Sequence, residues 1–368
     1  MDSNDELVMH PSQTDTLIGQ DQAEAVFLDA FNENRLHHAW LLTGSKGIGK
    51  ASFAYRAARF MLAGGGLGVG GSDDGLFGDV MPAESYQTLD VDGGHPIVSR
   101  IKAGGHGDLL TVNRTENPKT GKMRADIVID DVRRVISFFN QTSTEGGWRI
   151  AIIDAVDELN VNAANALLKV LEEPPEKALL LLVAHSPGRL LPTIRSRCRQ
   201  LPLSRLTSAQ IIELLSRNAA DISGADARIL AGLSNGAAGR ALELAAVDGL
   251  KVYNEVLGLL GGLPRVDIPA LHSFADSVSG VKVDARYRIF VSIFRDILDR
   301  LVRFAATGKP MIPELDRENA IFARLSGTRR LDQWLDLCEK ISETFNRADA
   351  VNLDKKQVLL TCFGKLAA

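Results

Sequence analysis

Three short apolar runs punctuate the first half of the chain, at 38–43, 149–154 and 178–184. Each is nearly continuous rather than alternating, which fits strands covered on both faces, as in a parallel sheet flanked by helices. A weaker run at 107–112 reads as a return to the same sheet, with a helix over 132–139 packed on it. Between the second and third runs Ala164, Leu167, Leu168 and Leu171 form an i, i+3, i+4, i+7 stripe, and Pro174-Pro175 ends it. The stripe predicts the crossover helix of a βαβ unit. Phe53, Ala57, Phe60 and Met61 repeat at helical spacing after the first run. Beyond Pro202 strand patterning stops: short helices are predicted at 209–218, 225–233 and 239–246, then longer amphipathic ones at 287–306, 331–346 and 355–363.

Glycine interrupts this order once on a large scale. Residues 64–75 hold seven glycines in twelve positions, and more follow at 93, 94, 104, 105 and 107. Such a stretch loses too much backbone entropy to form regular elements, so 63–107 is expected to be a largely flexible insertion. The resulting division is an α/β domain over 1–205, a small helical lid over 206–262 and an all-helical domain over 263–368.

Composition narrows the class. The chain has 368 residues, 45% hydrophobic and 24% charged, with 42 Lys and Arg against 46 Asp and Glu. These proportions exclude a disordered or fibrous chain, and the net charge of −4 excludes a general polybasic surface. Cys198, Cys338 and Cys362 are widely spaced, with no CxxC pair for zinc or a disulfide framework. The acidic start, Met1-Asp2-Ser3-Asn4-Asp5-Glu6, lacks the order of a signal peptide, and no apolar run approaches the ~20 residues that span a bilayer. A soluble cytoplasmic protein without membrane contact is expected.

Gly44-Ser45-Lys46-Gly47-Ile48-Gly49-Lys50 follows a strand and opens a helix, so backbone N–H groups there can cradle phosphate while Lys50 neutralises charge. Hydrolysing versions place Ser or Thr next, as a Mg²⁺ ligand. Here Ala51 stands in that place, and Ser52 comes one residue, ~100° of helix, too late. Residual nucleotide binding and a purely structural loop both remain open. Asp154 ends a strand where Mg²⁺ is usually organised, but the following position, normally a water-polarising Glu, is Ala155. Asp157 and Glu158 lie past the strand end and are expected to solvate or cap the next helix. The stretch 187–205 carries five arginines and no acid, which calls for an anionic neighbour; a solvated basic loop is the bland alternative.

Asn165-Ala166-Leu167-Leu168-Lys169-Val170-Leu171-Glu172-Glu173-Pro174-Pro175, followed about twenty residues later by Ser196-Arg197-Cys198, resembles the signature of bacterial clamp loaders, a branch of the AAA+ family. Leu17-Ile18-Gly19-Gln20 and His37-His38-Ala39 are similar to that family's N-terminal portion. The resemblance implies an AAA+ P-loop domain followed by a helical lid and collar. It implies a degraded nucleotide site at Gly44, Gly47, Gly49, Lys50 and Asp154, with Ala51 and Ala155 as the lost positions. Arg197, flanked by Ser196 and Cys198, becomes an arginine finger acting in trans, so the chain itself has no catalytic residue in cis.

Also implied are gamma/tau and delta subunits as partners in a hetero-pentameric ring, and contact with a sliding clamp and primed DNA through that complex. No cofactor is required, weak ATP or ADP binding stays open, and no zinc is expected because the family's four-cysteine module is replaced by the glycine-rich stretch. His185 or Ser186 stands where motor subunits keep a phosphate sensor, and His185 is read as structural. Arg240 falls one residue off the motor-subunit sensor spacing and is read as a lid-stabilising residue. The rival reading is an active motor ATPase using Ser52 for Mg²⁺ and Glu158 for water. A P-loop kinase lacks a substrate signature here, and a plain nucleic-acid binder fits poorly with net acidity and 6% aromatics.

Overall fold

The computed structural model describes residues 9–64, 85–117, 121, 123–144, 147–219, 221–279, 284–351 and 353–367. They fall into two compact units, Met1–Gln210 with Ala237–Gly239, and Ile211–Gly236 with Arg240–Ala368. The expected 206–262 lid is therefore shared between the two units, while 263–368 lies wholly in the second.

In the first unit α1 (Asp21–Asn32) leads to β1 (Ala39–Thr43), and α2 (Lys50–Leu62) follows the glycine loop. After α3 (Pro96–Lys102) come β2 (Leu109–Val112), α4 (Ile129–Phe139), β3 (Arg149–Asp154), α5 (Val161–Glu172), β4 (Ala178–Ala184), α6 (Pro192–Arg195) and β5 (Arg199–Pro202). The strands form one sheet of order β2-β3-β4-β1-β5, with every pairing parallel.

Alternate residues of the apolar runs feed opposite faces. Trp40, Leu42, Ile150, Ile152, Leu181 and Val183 pack with Phe27 of α1 and Phe53 and Phe60 of α2. Leu41, Ala151, Ile153, Leu180 and Leu182 pack with Val132 and Val135 of α4 and Leu167 and Leu171 of α5. This double cover is why the runs are continuous in sequence. Phe27 centres the first core, 5.0 Å from the Trp40 ring and 6.2 Å from that of Phe53. Contacts of this kind contribute about 0.5–1.5 kcal/mol beyond area burial.

The structure corrects the expected flexible insertion over its described half. Residues 65–84 lie outside the described residues, but 85–107 are folded onto the first core, with Leu89, Ile97 and Ile101 buried. Local chemistry overrides the neighbouring glycines: His95 caps α3 by accepting the Ile97 amide at 3.3 Å, and Pro96 starts the helix where its missing N–H costs nothing.

From α7 (Ser208–Asn218) onward the chain is helical: α8 (Gly224–Ser234), α9 (Ala238–Ala246), α10 (Gly249–Gly262), α11 (Ile268–Ser279), α12 (Asp284–Thr307), α13 (Asp316–Ser326), α14 (Leu331–Val351) and α15 (Lys355–Ala367). Helix α12 is the spine of the second unit. Its Phe290 lies 6.1 Å from Phe345 of α14, and its Phe294 lies 5.1 Å from Phe363 of α15. One buried polar knot interrupts the apolar packing. Glu318 of α13, 1% exposed, accepts from Arg300 Nε of α12 at 2.7 Å, from Arg300 Nη2 at 2.8 Å and from the Tyr253 hydroxyl of α10 at 2.9 Å.

Candidate functional site, a P-loop without its hydrolytic groups

The loop between β1 and α2 takes a phosphate-cradle shape because glycine allows it. Gly44, Gly47 and Gly49 have φ of +137°, +82° and +100°, conformations that side chains rarely adopt. A Cβ on Gly44 would also meet Ile48 Cδ1 at 2.5 Å and the Leu203 carbonyl at 2.9 Å. Gln20, quoted above only for its resemblance, ties this loop down. Its buried amide donates to the Ile48 carbonyl at 3.2 Å and the Ser204 carbonyl at 2.8 Å, and accepts the Ser204 amide at 3.1 Å.

Lys50 is 3% exposed and turned onto its own loop, its Nζ donating to the Gly44 carbonyl at 2.7 Å and the Ser45 carbonyl at 2.6 Å. Burial pulls its pKa down to about 8, against the opposing charges of Asp154 and Asp157. Asp154, at the end of β3, is pushed up to about 6 by burial, with Lys50 opposing. Ala51 and Ala155 present only methyl groups, and Ala155 is buried. Asp154 keeps the strand-end acid, but Ala51 supplies no hydroxyl where a P-loop Mg²⁺ ligand stands and Ala155 no carboxylate to polarise water. Among the described residues no group of three His, Cys, Asp or Glu is arranged to hold a metal ion.

Asp157 and Glu158 do something other than expected. Asp157 accepts the backbone amides of His185 and Ser186, both at 2.9 Å, and so fastens the end of β4. The cap of α5 is Asn160 instead, accepting the Ala163 amide at 2.9 Å. Glu158 pairs with Arg114 Nε at 3.0 Å. Sequence spacing could not show the Asp157 and Glu158 partners, since each of these pairs joins segments that follow different strands.

His185 lies 4.0 Å from Asp154, yet burial, reinforced by Lys50, holds its imidazole down to about 4. The folded protein thus carries a neutral ring where the unfolded chain binds a proton between about 4 and 6.5, so this group removes stability as pH falls through that window. Asp154 acts oppositely: the fold keeps its proton up to about 6, so its contribution is lost as pH rises from 3.8 to about 6. An NMR titration of the His185 ring protons is expected to show a midpoint near 4. A midpoint at or above the ordinary 6.5 would contradict this environment.

The segment Ala237–Gly239, which belongs to the first unit, lies against the same loop: the Gly239 amide donates to the Gly47 carbonyl at 2.7 Å. A Cβ on Gly239 would meet Gly47 Cα at 3.3 Å, so glycine suits this approach. The next residue, Arg240, is committed within the second unit, its Nη2 lying 3.0 Å from Asp296 Oδ2 of α12. Burial raises the Asp296 pKa against the pull of Arg240.

The arginine-rich stretch is not one loop. Arg199 begins β5 and its guanidinium sits 4.8 Å from the buried Trp40 ring centre, while Arg205 Nη2 donates to Ser45 Oγ at 3.2 Å on the rim of the P-loop. Ser196 ends α6, its hydroxyl donating to the Thr193 carbonyl at 3.1 Å. Cys198 packs against the core on the α4 and α5 face of the sheet, where burial pushes its thiol up to about 12. Arg197 stays at the surface with its side chain 37% exposed. Its Nη2 lies 2.8 Å from Glu172 Oε1 and its Nη1 donates to the Thr193 carbonyl at 3.1 Å.

A parallel sheet with a glycine cradle after β1, an acid at the end of β3 and a helical C-terminal region gives an α/β P-loop fold similar to that of AAA+ proteins. Within that class the chain resembles the delta-prime subunit of the bacterial DNA polymerase III clamp loader. Residues 84–207 match the family described as DNA polymerase III, delta subunit. DNA polymerase III subunit delta' of Pseudomonas aeruginosa is 34% identical over 199 residues, covering 54% of this chain and 53% of that subunit. Subunit delta' of Bacillus subtilis is 31% identical over 229 residues, 62% of this chain and 60% of that subunit. Subunit tau/gamma of Haemophilus influenzae is 29% identical over 200 residues, 54% of this chain and 25% of that subunit. The chain thus spans little more than half the length of the delta' relatives it matches. A solved Thermotoga maritima protein related to the gamma subunit overlays at a TM-score of 0.40 and 17% identity, over 93% of this chain and 98% of that one. Among the described residues no helix is long and apolar enough to cross a membrane.

Proposed function

We propose that this chain is a non-hydrolysing, stator-like subunit of a DNA polymerase III clamp loader, which helps place a sliding clamp on primed DNA. It works in the cytoplasm beside gamma/tau and delta subunits in a five-membered ring, and Arg197 reaches the ATP of the neighbouring motor subunit. One asymmetry carries the reading: Ala51 and Ala155 have replaced the metal hydroxyl and the water-polarising acid, yet Arg197 is kept on an exposed surface. Arginine is suited to that task, since its planar fork stays charged and matches phosphate oxygens. The P-loop keeps its shape, so weak binding of ATP or ADP without turnover accompanies this role.

The motor-ATPase reading asks Glu158 to activate water, but that carboxylate is engaged by Arg114. The deciding measurement is ATP turnover by the purified chain and by the ring assembled with it. The isolated chain is expected to show none above background, while its addition accelerates the motor subunits. Turnover by the isolated chain that disappears in Lys50→Ala would overturn the reading, as would a ring indifferent to the loss of Arg197.

A further inference from the structure

We propose that Glu172 is a positioning residue for Arg197: a carboxylate of the same chain that holds the guanidinium in the orientation needed to meet a neighbour's phosphate. The proposal rests on the trans-arginine function just given. Two contacts act on two different nitrogens of one planar group, Glu172 Oε1 on Nη2 at 2.8 Å and the Thr193 carbonyl on Nη1 at 3.1 Å. Held at two points, the plane of the fork is set as well as its location. A guanidinium has five N–H donors, so three remain for phosphate oxygens. The side chain is still 37% exposed, so it remains at the surface while paired.

The backbone beneath is fixed independently. Ser196 closes α6, and Cys198 is packed against the core on the α4 and α5 face, so Arg197 lies between two anchored residues. Only the rotamers of its long side chain are left to restrain, and the Glu172 and Thr193 contacts do this. A preordered side chain gives up less rotamer freedom when it meets a ligand than a free one.

Fold stability offers little reason for an acid at position 172. Glu172 is the last residue of α5, at the negative end of the helix dipole, and Glu173 follows it. An ion pair this exposed adds little to folding. A role toward Arg197 accounts for a carboxylate that the helix itself disfavours.

The test compares rings assembled with the full-length wild-type chain, Glu172→Ala, Arg197→Ala and the double variant, reading kcat and KM for ATP together with the melting temperature of each isolated chain. Glu172→Ala is expected to lower kcat at the facing site about tenfold with KM nearly unchanged, since a misplaced group loses transition-state contact rather than ground-state binding. Its melting temperature stays the same or rises slightly, and the double variant is no slower than Arg197→Ala alone. A Glu172→Ala ring at wild-type kcat, a faster one, or additive losses in the double variant would overturn the proposal while leaving the arginine finger intact. A ring unaffected by Arg197→Ala would remove the finger reading itself, and this inference with it.

Discussion

A clamp-loader ring built with Arg197→Ala is expected to turn over ATP at the site facing that residue about a thousandfold more slowly than the wild-type ring, the low end of what arginine fingers supply to phosphoryl transfer. The size follows from the role proposed for the residue. Charge spreads over the phosphate oxygens as the bond to the leaving group loosens, and a fixed cation beside them acts at that moment more than in the ground state. Folding of the chain is barely touched, because the Arg197–Glu172 pair is about half exposed and such pairs are worth ~0–1 kcal/mol. Single-turnover hydrolysis in a ring whose other sites are disabled reads the effect directly. Arg197→Lys recovers little, since a point charge cannot reproduce the planar fork. A loss under threefold at that site would mean that Arg197 does not reach the neighbouring nucleotide.

Glu318→Ala is expected to destabilise the second unit by about 3–5 kcal/mol, the usual consequence of removing one partner of a buried ion pair. Arg300 is only 8% exposed, and the Glu318 carboxylate supplies the acceptors for its Nε and Nη2 and for the Tyr253 hydroxyl. Removing that carboxylate orphans three donors on two helices at once. In the wild type, burial and the neighbouring Glu318 charge raise the Tyr253 pKa far above its ordinary value, so the phenol stays protonated and donates to that carboxylate. Urea unfolding followed by circular dichroism measures the change. Replacing both partners, as in Arg300→Met with Glu318→Leu, should recover most of it, because an apolar pair needs no desolvated charge. A midpoint shift for Glu318→Ala equivalent to under 1 kcal/mol would show that water reaches the knot.

How far the fold is legible depends on how local its causes are. β1, β3 and β4 are plain in the sequence because burial on both faces demands continuous apolar runs, and α5 because its stripe and Pro174-Pro175 lie within one window. β5 escaped because an edge strand needs only one inward side chain: of Arg199–Pro202 only Leu201 is buried. α3 was masked by glycines on either side, although its His-Pro start carried the cap that makes it a helix. At the site, Lys50 and the two alanines were readable from spacing alone. Glu172, Asp157 and Gly239 were not, since their partners are 25, 28 and more than 150 residues distant and only the folded chain brings them together. The arginine-rich stretch misled in a similar way: its even charge hid three separate tasks, on a buried indole, on the P-loop rim and at the surface.

The grip of Lys50 on the carbonyls of Gly44 and Ser45 gives the cradle an occupant of its own. An incoming polyphosphate must first persuade that ammonium to change partners, and it gains only the difference between the new contacts and those given up. On the stator role proposed above, this is a lock with its bolt already thrown: polyphosphate is expected to bind only weakly, and the chain to keep one shape while its neighbours cycle.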